Sequence, residues 1–112
     1  MANDQQCTEA SPDECRRAIT EEAGCRIIDV RTPAEYAEGH LDNAINIDFY
    51  APGFREQLVA LDRERPYVVY CRKGMRGAKA MSIMKETGFR RVYNMSGGIE
   101  NWNRLGLSLQ RR

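Results

Sequence analysis

The run Tyr67-Val68-Val69-Tyr70-Cys71 limits what this chain can fold into more than any other stretch. It follows a proline, is built from β-branched and aromatic residues, and carries no polar interruption. Such a run reads as a strand buried on both faces, and strands of that kind belong to largely parallel sheets with helices packed above and below. The neighbouring segments agree. Arg26 to Val30 (RIIDV) is a second short apolar strand, Ala44 to Ile47 (AINI) a third, and Arg91 to Met95 (RVYNM) a fourth.

Helices are signalled between these strands. Ser11-Pro12-Asp13-Glu14 combines an N-cap serine, a proline at the first helical position and a glutamate placed to close a capping box. Cys15, Ala18 and Ile19 follow at helical spacing and Gly24 marks the stop, so Cys15 reads as a small core residue. Thr32-Pro33-Ala34-Glu35 repeats the cap and opens a short helix ending near Gly39. A modest helix is expected from about Phe54 to Leu61. Another, with Ala78, Met81 and Met84 on one face, stops at Gly88, and a last one carries Trp102 after the turn Gly97-Gly98. Strands alternating with helices predict an α/β fold with a mainly parallel sheet. The expected organisation is a mobile N-terminal segment (residues 1–10), one domain (11–108) and a C-terminal tail (109–112).

Charge and cysteine usage exclude several classes of function. The formal net charge is +1, so neither nucleic acid nor an anionic membrane is an expected partner. Arg16-Arg17, Arg90-Arg91 and Arg111-Arg112 read as solvated surface. Cysteines at 7, 15, 25 and 71 fall in no metal-ligand spacing, and His40 is the only histidine, which argues against metal sites built on histidine clusters. His40 itself, after a helix end, is assigned a structural role. The first ten residues lack the basic and apolar regions of a signal peptide, and no apolar run nears the roughly 18 residues of a membrane span. A cytoplasmic location with reduced thiols is expected.

Cys71 is different from the other three cysteines. It ends the strongest strand and is followed at once by Arg72, Lys73, Gly74, Met75, Arg76 and Gly77. In open parallel sheets, ligands bind beyond the carboxyl ends of strands, where loops enter helices. The sulfur would face the free N–H groups and positive dipole end of the next helix, with Gly74 and Gly77 letting the backbone curl into an anion nest. Arg72, Lys73 and Arg76 add positive field. Each feature favours a thiolate, so Cys71 is predicted to be a reactive nucleophile. Asp29 and Arg31 are expected to form an ion pair or to fix a loop. Tyr36 and Trp102 are expected to pack.

Three stretches resemble signatures of the rhodanese-like domain, the sulfurtransferase module, and occur in that family's order. They are Ile27 to Ile47, Tyr67 to Ala80 and Gly88 to Leu107. The resemblance implies a three-layer α/β/α fold with a mainly parallel five-stranded sheet, and Cys71 carrying sulfur as a persulfide within a ring of N–H groups from Arg72 through Gly77. It also implies a small anionic donor such as thiosulfate, a thiol, cyanide or protein acceptor, and no metal or organic cofactor. A monomer is the default expectation. Phosphatases of the related fold place their arginine at the position of Gly77, in a wider loop; here the arginine is Arg76, and the shorter loop suits a sulfur atom. The long two-domain thiosulfate enzymes continue with Val-Thr where this chain has Met75-Arg76, and carry an arginine at the position of Glu35. The alternative to an enzyme is a regulatory interaction module that has kept the fold; the intact cysteine and cationic loop speak against it.

Overall fold

Strands and helices alternate along the described chain, residues 5–107 of the computed structural model. In order these are β1 (Gln6–Ala10), α1 (Pro12–Glu21), β2 (Arg26–Asp29), α2 (Pro33–Ala37), β3 (Ile45–Asn46), α3 (Phe54–Val59), β4 (Pro66–Tyr70), α4 (Met75–Glu86), β5 (Arg91–Met95) and α5 (Gly98–Arg104). The sheet runs β1-β5-β4-β2-β3, and every pair is parallel. The expected α/β architecture is therefore present, and the apolar run at 67–70 is its middle strand.

Side chains of β4 alternate between two cores. Tyr67 and Val69 join Phe54, Leu58, Ala80, Met84 and Phe89 on the side of α3 and α4. Val68 and Tyr70 join Cys15, Ala18, Ile99 and Trp102 on the side of α1 and α5. Val68, Val69 and Tyr70 are wholly buried. Covering each such apolar side chain is worth roughly 1.5–3 kcal/mol, which explains the absence of any polar position in this strand.

Both predicted capping boxes form. The Ser11 hydroxyl accepts from the Glu14 N–H, and the Ser11 N–H donates back to the Glu14 carboxylate at 2.8 Å. Thr32 and Glu35 repeat the arrangement, with the Thr32 N–H 2.9 Å from Glu35 Oε1. Cys15 is buried in the core, as expected.

The N-terminal segment corrects the sequence reading. A mobile stretch was expected over residues 1–10, but Gln6–Ala10 is a strand in register with β5, from Gln6 opposite Arg91 to Ala10 opposite Met95. Cys7, on this strand, is half-buried against the core beneath α4. Residues 1–4 and 108–112, which hold the predicted tail and the last residue of the predicted domain, lie outside the described residues. No helix among the described residues is long and apolar enough to cross a membrane.

Candidate active site

The carboxyl end of β4 delivers Cys71 to the first turn of α4. The N-cap of that helix is Gly74, which has no side chain to accept the N–H groups left open there. The Cys71 sulfur takes that place. Its Sγ accepts from the N–H of Gly74 at 3.0 Å and from that of Gly77 at 3.3 Å, the latter being the N–H a capping oxygen would ordinarily receive. Cys71 is 1% exposed, so the sulfur lies recessed in this cradle. Of the loop segment predicted to surround it, Gly74 and Gly77 thus supply direct contacts.

Glycine is required twice here. Gly74 has φ +118°, which side-chain-bearing residues rarely adopt. A Cβ on Gly77 would lie 2.2 Å from Asn94 Oδ1.

Asn94 was not singled out from the sequence, yet it holds the loop. It is wholly buried on β5, and its Nδ2 donates to the Gly74 carbonyl at 3.0 Å and to the Glu9 carboxylate on β1 at 2.9 Å. The start of α5 fixes the other side. The N–H of Ile99 donates to the Cys71 carbonyl at 2.9 Å, and that of Glu100 to the Arg72 carbonyl at 3.2 Å. Gly97-Gly98 was read as a turn requirement. The structure adds close approach, since a Cβ on Gly98 would stand 2.3 Å from the Arg72 carbonyl oxygen. Three strands and two helices therefore meet on one loop.

The loop cations are partly compensated. Arg76 makes a two-pronged ion pair with Glu35, at 2.8 Å and 3.0 Å, and its guanidinium lies 5.6 Å from the Tyr50 ring centre. This pairing, together with the Thr32 bonds and against the cost of burial, holds the Glu35 carboxyl down at about 2, and Arg76 is raised in turn. Arg72 pairs with Glu100 at 2.8 Å on a more open surface. Lys73 is exposed and makes no ion pair among the described residues. Met75 is 76% exposed and projects from the loop's helical end.

The remaining polar residues are structural. Asp29 and Arg31 form a buried pair at 2.7 Å, as the sequence suggested, and Arg31 also donates to the Gly39 carbonyl. His40 is buried and stacks on Tyr36 with ring centres 3.7 Å apart, its Nδ1 3.0 Å from the Tyr36 carbonyl. Burial pushes the thiols of Cys15 and Cys25 up to about 12 and about 11, and raises that of Cys7. Cys7 and Cys25 lie outside any helix start, and Cys15, in the first turn of α1, turns its Sγ to the Ala10 carbonyl rather than to open helix N–H groups.

Known proteins with this architecture narrow the family. The profile of the rhodanese-like domain matches residues 11–105. A sulfurtransferase from Allochromatium vinosum is 36% identical over 83 residues, 74% of this chain and 76% of that protein. The thiosulfate sulfurtransferase GlpE of Actinobacillus pleuropneumoniae is 32% identical, over 92% of this chain and 93% of its own. The tRNA uridine(34) hydroxylase of Sodalis glossinidius is 36% identical across 78% of this chain but only 26% of that enzyme. Among solved structures, a rhodanese-related protein from Thermoplasma volcanium superposes with a TM-score of 0.82 at 27% identity, covering 94% of this chain and 99% of its own. With the profile spanning most of its length, the chain belongs to the rhodanese-like domain family.

Proposed function

We propose that this protein is a sulfurtransferase that carries sulfane sulfur on Cys71. The observation that carries the reading is the Sγ cradled by the N–H groups of Gly74 and Gly77 at the start of α4, where negative charge on sulfur is stabilised by hydrogen bonds and by the helix dipole. The chain's similarity to two sulfurtransferases, over 74% and 92% of its length, supports the same class of chemistry.

In the first half-reaction the Cys71 thiolate attacks the outer sulfur of the donor. The new S–S bond forms as the donor's own bond to that sulfur breaks, and the bonding pair leaves with sulfite if the donor is thiosulfate, or with a thiolate if it is a persulfide. The transferred atom, now the outer sulfur of a Cys71 persulfide, lies within reach of the loop's N–H groups. In the second half-reaction an acceptor thiolate or cyanide attacks that sulfur and Cys71 departs as thiolate. Two covalent steps through one enzyme intermediate predict ping-pong kinetics. Arg72 and Lys73 draw the anionic donor in, while Arg76 is the cation nearest the helix start.

The test is mass spectrometry of the intact protein after exposure to thiosulfate, and separately to a small-molecule persulfide, followed by removal of excess donor. The wild type should gain one sulfur atom, lost again on adding cyanide, and Cys71→Ser should gain none. Identical behaviour of the two proteins would refute the reading.

A further inference from the structure

Two carboxylates stand among the cations around Cys71, and one of them is built in rather than incidental. Glu35 is fixed from two directions. Its Oε1 receives the Thr32 N–H and hydroxyl through the capping box of α2, and both its oxygens receive the Arg76 guanidinium. The Glu35 and Arg76 side chains are 25% and 18% exposed, so water screens this pair less than the open Arg72–Glu100 pair, at 61% and 45%. Three cations less two carboxylates leave the loop with a single uncompensated charge, that of Lys73.

That balance matters because of what the first half-reaction brings together. Thiosulfate is a dianion, and a thiolate attacking it concentrates three negative charges at one point. A persulfide R–S–S⁻ brings one charge on its reacting group, or none as R–S–SH. The rim also offers surface that an inorganic ion cannot use: Tyr50, against the Arg76 guanidinium, is 66% exposed, and Met75 is 76% exposed. Exposed large apolar side chains at a site entrance suit an organic group on the donor.

We propose that Glu35 is the donor-selecting residue of the Cys71 site: by neutralising Arg76 it turns the site from dianions such as thiosulfate toward small organic persulfides. This rests on the sulfur-transfer reading above and sharpens it. The favoured step is balanced without any further reactant. The Cys71 thiolate attacks the outer sulfur of R–S–SH, the donor's S–S bond breaks, R–S⁻ leaves with the bonding pair, and the proton stays with the transferred sulfur. Charge is conserved, and no oxidant or reductant is consumed.

The experiment compares sodium thiosulfate with cysteine persulfide as donors to the wild type, Glu35→Gln and Glu100→Gln. Glutamine keeps the capping box, so Glu35→Gln removes the charge while the start of α2 stays capped. The wild type should show the higher kcat/KM with cysteine persulfide. In Glu35→Gln, Arg76 is released toward the dianion, and the KM for thiosulfate should fall about tenfold while that for cysteine persulfide changes less than about threefold. Glu100→Gln, whose pair is with Arg72 and more exposed, should lower the thiosulfate KM by only roughly two- to threefold, and Glu35→Ala, which removes the same charge, carries the test if Glu35→Gln does not fold. An unchanged or higher thiosulfate KM in the variants, or equal changes with both donors, would overturn donor selection while leaving sulfur transfer standing. Loading of the wild type by neither donor would overturn both.

Discussion

Replacing Gly98 by alanine tests how tightly the fold holds the Cys71 loop. The residue has φ +62°, and placing a Cβ in that region costs about 1–2 kcal/mol by itself. The added atom would also stand 2.3 Å from the carbonyl oxygen and 2.4 Å from the carbonyl carbon of Arg72, and 2.5 Å from the Cys71 oxygen. These are backbone atoms, which cannot swing aside as a side-chain tip can, so α5 must retreat. Retreat stretches the bonds from Ile99 N–H and Glu100 N–H to the Cys71 and Arg72 carbonyls, each worth about 1 kcal/mol. The combined loss is about 3–4 kcal/mol, a large share of the stability of a domain this size. Gly106→Ala supplies the control: its φ is +74°, but nothing lies within 4 Å of the added carbon, so only the backbone strain of about 1–2 kcal/mol is expected. Urea unfolding followed by the fluorescence of Trp102, buried on α5, measures both. Equal losses in the two variants would show that α5 does not press on the loop, and the account of Gly98 would fail.

Asn94→Ala removes the two bonds that tie Gly74 to β5 and β1 and leaves the Glu9 carboxylate short of a donor, so sulfur loading of Cys71 should slow at least about tenfold with a stability loss of about 2 kcal/mol; donor kinetics and urea titration check the two effects separately. The Glu35 carboxyl is held at about 2 in the folded protein against an ordinary value of 4.5, so between these values the unfolded chain binds more protons than the native one. The pair's contribution, about 1–2 kcal/mol after solvent screening, should be complete above pH 4.5 and lost as the pH falls toward 2, and Glu35→Gln should lack that part of the acid transition. In Cys71→Ser, iodoacetamide at pH 8 should modify Cys15 and Cys25 slowly in the native state and rapidly in urea, because burial raises both thiols; fast native labelling of Cys15, read by peptide mass spectrometry, would contradict its place in the core.

Local chemistry made much of this fold readable. Ser11-Pro12-Asp13-Glu14 and Thr32-Pro33-Ala34-Glu35 state two helix starts in four residues each, and both boxes close as written. The apolar run ending at Cys71 could be nothing but an interior strand, and that position, with Gly74 and Gly77 after it, located the candidate site. Relations between distant segments were not readable. β1 is an edge strand with mostly exposed side chains, and what holds it is backbone pairing with β5, which leaves no periodic signal in Gln6–Ala10. Glu35 meets Arg76 across 41 residues of sequence, so the arginine's partial neutralisation is a property of the fold alone. Asn94, inside an otherwise ordinary strand, offered only the oddity of a polar residue in an apolar run, a signal that could have marked it.

The parallel pairing of β1 with β5 also sets an order of assembly. During synthesis β1 emerges before β5 and has no partner in that pairing until the residues opposite it, Arg91 to Met95, have been made. Glu9 then reaches Asn94, and Asn94 reaches Gly74, so β1, though made before the loop, completes the loop's support only after β5 exists. A nascent chain would therefore carry Cys71 for the whole interval in a loop not yet locked. Such dependence on contacts distant in sequence favours slow folding, and it makes acquisition of sulfur by Cys71 a sensitive report that the final strand pairing has taken place.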